Sequence, residues 1–86
     1  MLMAKVVGNV VATKKNETLI GYKLMVVKTI DSKLNFTGCE MVAADYVGAG
    51  VGEYVLLGKG SSVRVEDNRK NSCIDLAIIG IIDEVV

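Results

Sequence analysis

The segment from Ile74 to Asp83 limits the possible folds of this chain more than any other feature of the sequence. Its apolar run is far shorter than the roughly 20 residues that a membrane-spanning helix needs, so we interpret it as a β-strand. The two faces of this strand are both apolar, one formed by Leu76, Ile78 and Ile82 and the other by Ala77, Ile79 and Ile81. An antiparallel sheet in a small protein usually leaves one face to water. We therefore expect a second subunit to cover one face of this strand.

The size and composition of the chain lead to the same expectation. Its 86 residues are enough for a single domain, taken as residues 1–86, and 51% of them are hydrophobic. A domain of this size buries only about 60% of the surface that its unfolded chain exposes. The apolar excess must therefore face a partner, and a net charge of zero favours association with copies of the same chain.

Alternating patterns predict an all-β fold with five strands and one short helical turn. The first strand carries small or apolar residues at its even positions from Leu2 to Ala12, and this side should face the core. Ser61 or Ser62 is expected to N-cap a helical turn that runs through Arg64. Polar loops are expected at Thr13–Thr18, Asp31–Thr37 and residues 66–72. The predicted strands are Leu2–Ala12, Ile20–Ile30, Glu40–Ala44, Glu53–Leu57 and Ile74–Asp83.

These elements favour an OB-like barrel of five strands, closed or nearly closed. A five-stranded SH3-like barrel is the alternative. The doubly apolar last strand indicates that such barrels assemble, so we expect contact with another subunit in place of a monomer.

Two glycine-rich segments resemble nucleotide-binding motifs only in part. Gly48 to Gly52 reads G-x-G-x-G and precedes a predicted strand, whereas loops that bind dinucleotides precede a helix. We interpret it as a tight loop that packs against a neighbouring backbone. Gly58 to Ser62 lacks the Walker spacing, and we interpret it as a turn followed by a helix N-cap.

The sequence offers little for catalysis or for binding a cofactor or a metal. It contains no histidine, which is the usual general base near neutral pH. Cys39 and Cys73 form no CxxC pair, and we interpret both as reduced, buried, small apolar residues. Solvated caps and turns are expected for the carboxylates near strand ends, namely Asp31, Asp45, Glu53, Asp75 and Asp83. We expect no enzyme activity and no cofactor.

The start of the chain does not resemble a secretory signal. Lys5 lies inside the opening apolar stretch, whereas a signal peptide carries its charge before that stretch. Together with the absence of a long apolar run, this indicates a cytoplasmic protein that has no membrane partner.

A small nucleic-acid-binding module is the alternative function, because OB-type barrels bind single strands through a basic groove and stacked aromatic rings. The basic residues near the front of the chain are Lys14, Lys15 and Lys23. Nucleic-acid binding usually needs a basic excess, but the chain has ten basic and ten acidic residues, so we expect no nucleic-acid partner. The aromatic residues available for stacking are Tyr22, Phe36, Tyr46 and Tyr54.

Four motifs spread along nearly the whole chain are similar to those of one known family. The most specific, from Asp45 to Leu56, reads D-x-V-G-A-G-x-G-E-x-V-L. The others are L-x-G-x-K-L at Leu19–Leu24, a match to G-S-S-A-R at Gly60–Arg64 and I-D-x-A-x-x-G-I-x-D at Ile74–Asp83. Together they resemble the vertex-protein family of bacterial microcompartment shells, which are pentamers of carboxysomes and of ethanolamine- and propanediol-utilising compartments. The chain departs from the family at Val63, where alanine is usual, and at Cys73, where proline is common.

The resemblance implies a structural shell protein with an OB-like barrel. Five copies would form a ring that caps a corner of a polyhedral shell in the cytoplasm, beside hexameric shell proteins. A flat lattice of hexagonal tiles closes only with five-fold points, and a ring with a heterologous, closing interface supplies them. The residues expected at the subunit interface are Gly48, Ala49, Gly50, Gly52, Glu53, Ser61, Ser62, Arg64, Ile79 and Ile81.

Overall fold

A computed structural model of the protein describes residues 1–63 and 73–86 and folds them into a closed β-barrel. Its strands are β1 (Leu2–Val10), β2 (Leu24–Ile30), β3 (Phe36–Asp45), β4 (Tyr54–Lys59) and β5 (Leu76–Ile81). They follow the order β1-β2-β3-β5-β4 around the barrel, and β4 closes it by pairing with β1. Every neighbouring pair is antiparallel except β3 and β5, which run parallel. This is the strand order of an OB-type barrel, so the predicted OB-like fold is confirmed over the SH3-like alternative.

Among the described residues, two 3-10 turns accompany the strands, at Glu17–Leu19 and at Gly60–Val63. The second is the predicted helical turn, but Ser61 and Ser62 lie inside it and do not precede it as caps. The first was missed, and it begins where the Asn16 side chain accepts a hydrogen bond from the Thr18 backbone N–H at 2.9 Å. Arg64 and the loop predicted at 66–72 lie outside the described residues. Within the described ranges, no helix is long and apolar enough to cross a membrane.

The main core fills the inside of the barrel with side chains from all five strands and from the glycine-rich loop. In β1 the buried residues are Ala4 and Val6, so the prediction that even positions face the core is confirmed as far as Val6. A register irregularity after Val6 brings Gly8 opposite Val26 and Val10 opposite Leu24, on the outer side of the barrel, so the prediction is wrong from there on. The buried members of the core cluster are Ala4, Val6, Met25, Val27, Ala43, Ala49, Val55, Leu57, Leu76 and Ile78.

Strands β2 and β3 differ most from the predicted bounds. β2 begins at Leu24 and not at Ile20, because the chain turns at Gly21, whose φ of 91° favours glycine. β3 begins at Phe36 and not at Glu40, and it pairs with β2 back to Ile30. Its first five residues are exposed, so they carry no alternation that a sequence pattern can detect. Among the described residues, β3 pairs with β5 only at Ala44 and Asp45.

The predicted alternation of the last strand does not run through its whole length. A register irregularity in the β4–β5 ladder brings Ile78 opposite Leu57 and Ile81 opposite Val55. Leu57 and Val55 both face the core, so Ile78 and Ile81 share one side of the sheet although three positions separate them. The prediction that Ile81 lies on the face of Ile79 is therefore wrong, because a bulge shifts the alternation by one residue.

Candidate subunit-contact surfaces

The glycine-rich loop between β3 and β4 is held by its own side chains. The Asp45 carboxylate accepts hydrogen bonds through Oδ1 from the backbone N–H groups of Val47 and Gly48, both at 3.0 Å. The Gly50 N–H donates to Oε1 of Glu53 at 2.6 Å, and the Glu53 N–H donates back to the Gly50 carbonyl at 3.2 Å. Gly48 and Gly52 have φ values of 80° and 95°, which few other residues adopt. The loop thus has one defined shape.

Two backbone hydrogen bonds fix this loop against the middle of β1. The Gly52 N–H donates to the Val6 carbonyl at 2.8 Å, and the Val6 N–H donates to the Glu53 carbonyl at 2.9 Å. Gly48, Gly52 and Glu53 are exposed, and Gly50 is partly exposed. Ala49 differs, because its side chain is fully buried in the core of its own barrel. Only the backbone of Ala49 is therefore left for a predicted contact with a neighbour.

The carboxylate of Asp45 is buried, which corrects the expectation that it is solvated. Its side chain is 1% exposed, and Oδ2 has no hydrogen-bond partner among the described residues. The nearest opposite charge is the Lys23 ammonium, 3.9 Å away and largely exposed, so water weakens this ion pair. Asp45 therefore stabilises the protein mainly through the two hydrogen bonds that Oδ1 accepts from the loop.

Asp45→Ala is expected to lower the free energy of unfolding by about 1–3 kcal/mol, because two loop N–H groups lose their acceptor. Asp45→Asn keeps an oxygen in place of Oδ1 and should cost less. Urea unfolding of the three proteins at one fixed protein concentration measures the difference. Equal stability of the alanine variant and the unchanged protein would show that the loop holds its shape without this carboxylate.

A second group of predicted contact residues lies around β5 and the Gly60–Val63 turn. Gly58 permits this packing, since a Cβ there would approach the Val63 side chain to 2.6 Å and Ile79 to 3.3 Å. Ile79 and Ile81 are 37% and 40% exposed, although they are large and apolar. Ser61 is exposed in the turn, whereas the Ser62 side chain and Arg64 are outside what the structure describes. The predicted contact residues that the structure describes thus form two groups, one in the loop against β1 and one on β5 and the Gly60–Val63 turn.

Other exposed side chains were not anticipated from the sequence. Val11 is 93% exposed because β1 ends before it, and Ile20 is exposed because it precedes β2. The alternation of the first strand gives no signal for Val11, because the register irregularity after Val6 reverses the sides before Val11 is reached. Cys39 and Cys73 are free but exposed, so the interpretation of both as buried is wrong. Cys39 lies in the exposed half of β3, and Cys73 lies beside the Thr18 hydroxyl at 3.3 Å.

The closed strand order and the tied glycine loop define this chain as a small OB-type barrel protein. Its sequence matches the family described as "Ethanolamine utilisation protein EutN/carboxysome" over residues 1–83. The bacterial microcompartment shell vertex protein GrpN of Rhodospirillum rubrum is 47% identical over 85 residues, which cover 99% of this chain and 96% of GrpN. The vertex protein PduN of Salmonella typhimurium is 48% identical over 87 residues, with 96% of each chain covered.

A solved structure gives the same result for the fold. The pentameric microcompartment shell protein GrpN from Rhodospirillum rubrum matches with a TM-score of 0.89 and 46% identity, over 100% of this chain and 96% of that chain. The chain therefore belongs to the EutN/CcmL family, and the family resemblance noted in the sequence is confirmed.

Proposed function

We propose that this chain is a vertex subunit of a bacterial microcompartment shell, with residues 1–86 acting as one domain. Five copies form a ring in the cytoplasm, and the ring fills a five-fold corner between hexameric shell proteins. The observation that carries the proposal is the exposure of Ile79 and Ile81 on the last strand of a chain whose relatives are named as shell vertex proteins. Such apolar exposure is typical of a surface that another subunit covers.

Two separate contact groups fit a ring. A cyclic ring needs a heterologous contact, in which one patch of a subunit meets a different patch of the next. The glycine loop supplies one patch, with the backbone exposed at Gly48 and Gly52. The surface around Ile79 and Ser61 supplies the other. Glycines at the loop let a neighbouring backbone or side chain approach closely.

A structural role suits this chain better than an enzymatic one. The chain has no histidine, so the usual proton carrier near neutral pH is missing. The relatives that it matches are named for their place in a shell and not for a reaction. We therefore assign its function to assembly alone.

The alternative of a nucleic-acid-binding module is not supported. Its four aromatic rings already have partners within the chain, so they do not form a free stacking platform. Tyr22 and Tyr46 pack on each other with ring centroids 5.5 Å apart, and the Tyr46 hydroxyl donates to the Val63 carbonyl at 2.9 Å. The ammonium groups of Lys5 and Lys28 lie over the rings of Tyr54 and Phe36 at 5.5 and 4.7 Å.

Native mass spectrometry of the purified chain tests the proposal directly. A vertex subunit should appear at five times the subunit mass of 9.2 kDa. A stable monomer at micromolar concentration, or a six-membered ring, would contradict the five-fold role.

Gly50→Val is expected to weaken the ring while the barrel stays folded. A Cβ at Gly50 would lie 3.4 Å from Glu53 Oε1 and meet nothing else within 4 Å, so the loop of the single chain has room for it. Its φ is not in the left-handed region, so backbone strain is not expected either. Mass spectrometry should show more monomer for the valine variant than for Gly50→Ala, and circular dichroism should show the same strand content. Full rings from Gly50→Val would place the loop away from the contact.

A further inference from the structure

One surface of the chain combines exposed apolar side chains with lysines. It surrounds the depression where β1 leaves the barrel and β2 begins, and we call it the basic surface: Val10, Val11, Ala12, Lys15 and Lys23 line the depression, and Lys14 is the exposed neighbour of Lys15 in the chain. Lys15 Nζ donates to the Ala12 carbonyl at 3.0 Å, which holds one charge at the edge of the apolar depression. Lys23 Nζ donates to the Ala49 carbonyl at 3.4 Å, so this surface is continuous with the glycine loop.

A second surface combines exposed apolar side chains with carboxylates. It lies where β5 leaves the barrel, and we call it the acidic surface: Met3, Leu56, Ile81, Ile82, Asp83, Glu84 and Val85. Asp83 and Glu84 are exposed, and neither forms an ion pair with a side chain of residues 1–63 or 73–86. Ile81 and Ile79 are both exposed near the end of β5, although they lie on opposite sides of the sheet.

The two surfaces lie toward opposite ends of β1. Met3 belongs to the acidic surface and Val10 to the basic one, and seven residues of strand at about 3.3 Å each separate them by roughly 23 Å. One molecule cannot bring them together, but two molecules in a head-to-tail contact can. Because the basic surface and the acidic surface carry opposite charges, the chain can present both and still have a net charge of zero.

We infer that the acidic surface of one subunit docks on the basic surface of the next around the ring, and this inference rests on the proposed ring. The contact is heterologous, as a cyclic ring requires. Opposite charges at the rim of an apolar contact set its register and disfavour wrong pairings. A pairing of two basic or two acidic surfaces repels, so back-to-back dimers compete poorly with ring closure.

Charge reversal with rescue tests the contact. Lys14→Glu with Lys15→Glu gives both surfaces negative charge, and Asp83→Lys with Glu84→Lys gives both positive charge. Each double variant should need at least about tenfold more protein than the unchanged chain to form rings, since like charges then meet at every contact. The quadruple variant restores opposite charges with reversed sign and should form rings near the concentration of the unchanged chain.

Single reversals of exposed charges elsewhere, Lys33→Glu and Glu40→Lys, serve as controls and should leave ring formation unchanged. Circular dichroism confirms that each variant is folded before native mass spectrometry is read. Rings from both double variants at the concentration of the unchanged chain would overturn the docking. A folded quadruple variant no better than the doubles would overturn it too. An unchanged chain that forms no ring would instead contradict the proposed vertex role.

Discussion

Ile79→Asp is expected to abolish the ring and leave a folded monomer. Ile79 lies on the outer side of β5 and is 37% exposed in the single chain. The stability of the barrel therefore depends on only part of the Ile79 side chain. In the ring, a neighbour would cover the aspartate, and an unpaired charge buried in this way costs about 3–5 kcal/mol at each contact. Native mass spectrometry at micromolar concentration should therefore change from rings to monomers.

Two further variants separate a lost contact from a damaged fold. Leu34→Asp makes the same chemical change at a residue that is 43% exposed at the tip of the β2–β3 hairpin, and it should form normal rings. The φ of 67° at Leu34 suits aspartate as well as leucine. Ile79→Thr keeps the β-branched shape and should give an intermediate loss. If Ile79→Asp forms full rings, the outer side of β5 is not at the subunit contact.

Ile78 is the neighbour of Ile79 in the same strand, and Ile78→Ala is expected to have the opposite effect. It should destabilise the barrel itself and not the contact between subunits. Ile78 is fully buried and faces Leu57 across the β4–β5 ladder. Removing its outer carbons leaves a cavity in a small core and should lower the free energy of unfolding by about 2–5 kcal/mol. A domain of this size often has a total stability of only about 5–15 kcal/mol, so a large fraction would be lost.

The measurement for Ile78 is urea or thermal unfolding in the Ile79→Asp background. A ring would otherwise add its own concentration-dependent stability to the barrel. Ile78→Val removes one methylene and should lower the free energy of unfolding by about 0.5–1.5 kcal/mol. The two variants together then show how the loss of stability depends on the side-chain volume removed. A loss below 1 kcal/mol for the alanine variant would mean that the core refills the space, contrary to its close packing.

Much of the fold could be predicted from the sequence because burial leaves a period of two in a strand. The even positions of β1 up to the register irregularity, Ala4 and Val6, face the core as expected. The fourth strand and the Gly60–Val63 turn lie within a few residues of their predicted places. The segment from Gly48 to Gly52 is a tight loop, as predicted, and it has positive φ angles at Gly48 and Gly52.

The errors occurred where burial imposes no pattern or where a bulge breaks it. The first half of β3 is exposed, so Phe36 and Thr37 were taken as the end of a turn, and Cys39 was taken as buried. Ile81 was assigned to the wrong side because one register irregularity reverses the parity of every later residue. The burial of the Asp45 carboxylate depends on the path of a loop, and no local pattern encodes that path.

The candidate contact residues could be predicted only in part. A glycine loop and an apolar last strand suggested contacts, and the structure places their residues in two groups against different strands. Lys14, Lys15 and Lys23 were noted as a basic group in the sequence. The apolar depression that Lys15 and Lys23 line was not anticipated, because it forms only when the chain turns between β1 and β2. Asp83 and Glu84 follow the last strand and looked like an ordinary polar end.

The outer half of β3 has a consequence for handling the protein. Before Ala44 this strand bonds to β2 along one edge, and among the described residues its other edge carries no strand partner. An open edge is a template for intermolecular sheet growth, and it promotes aggregation when chains are crowded. The exposed carboxylate of Glu40 opposes such growth, since a charge on an edge strand disfavours pairing with a strand of another molecule. Solubility at high expression therefore depends on the short stretch of β3 before Ala44.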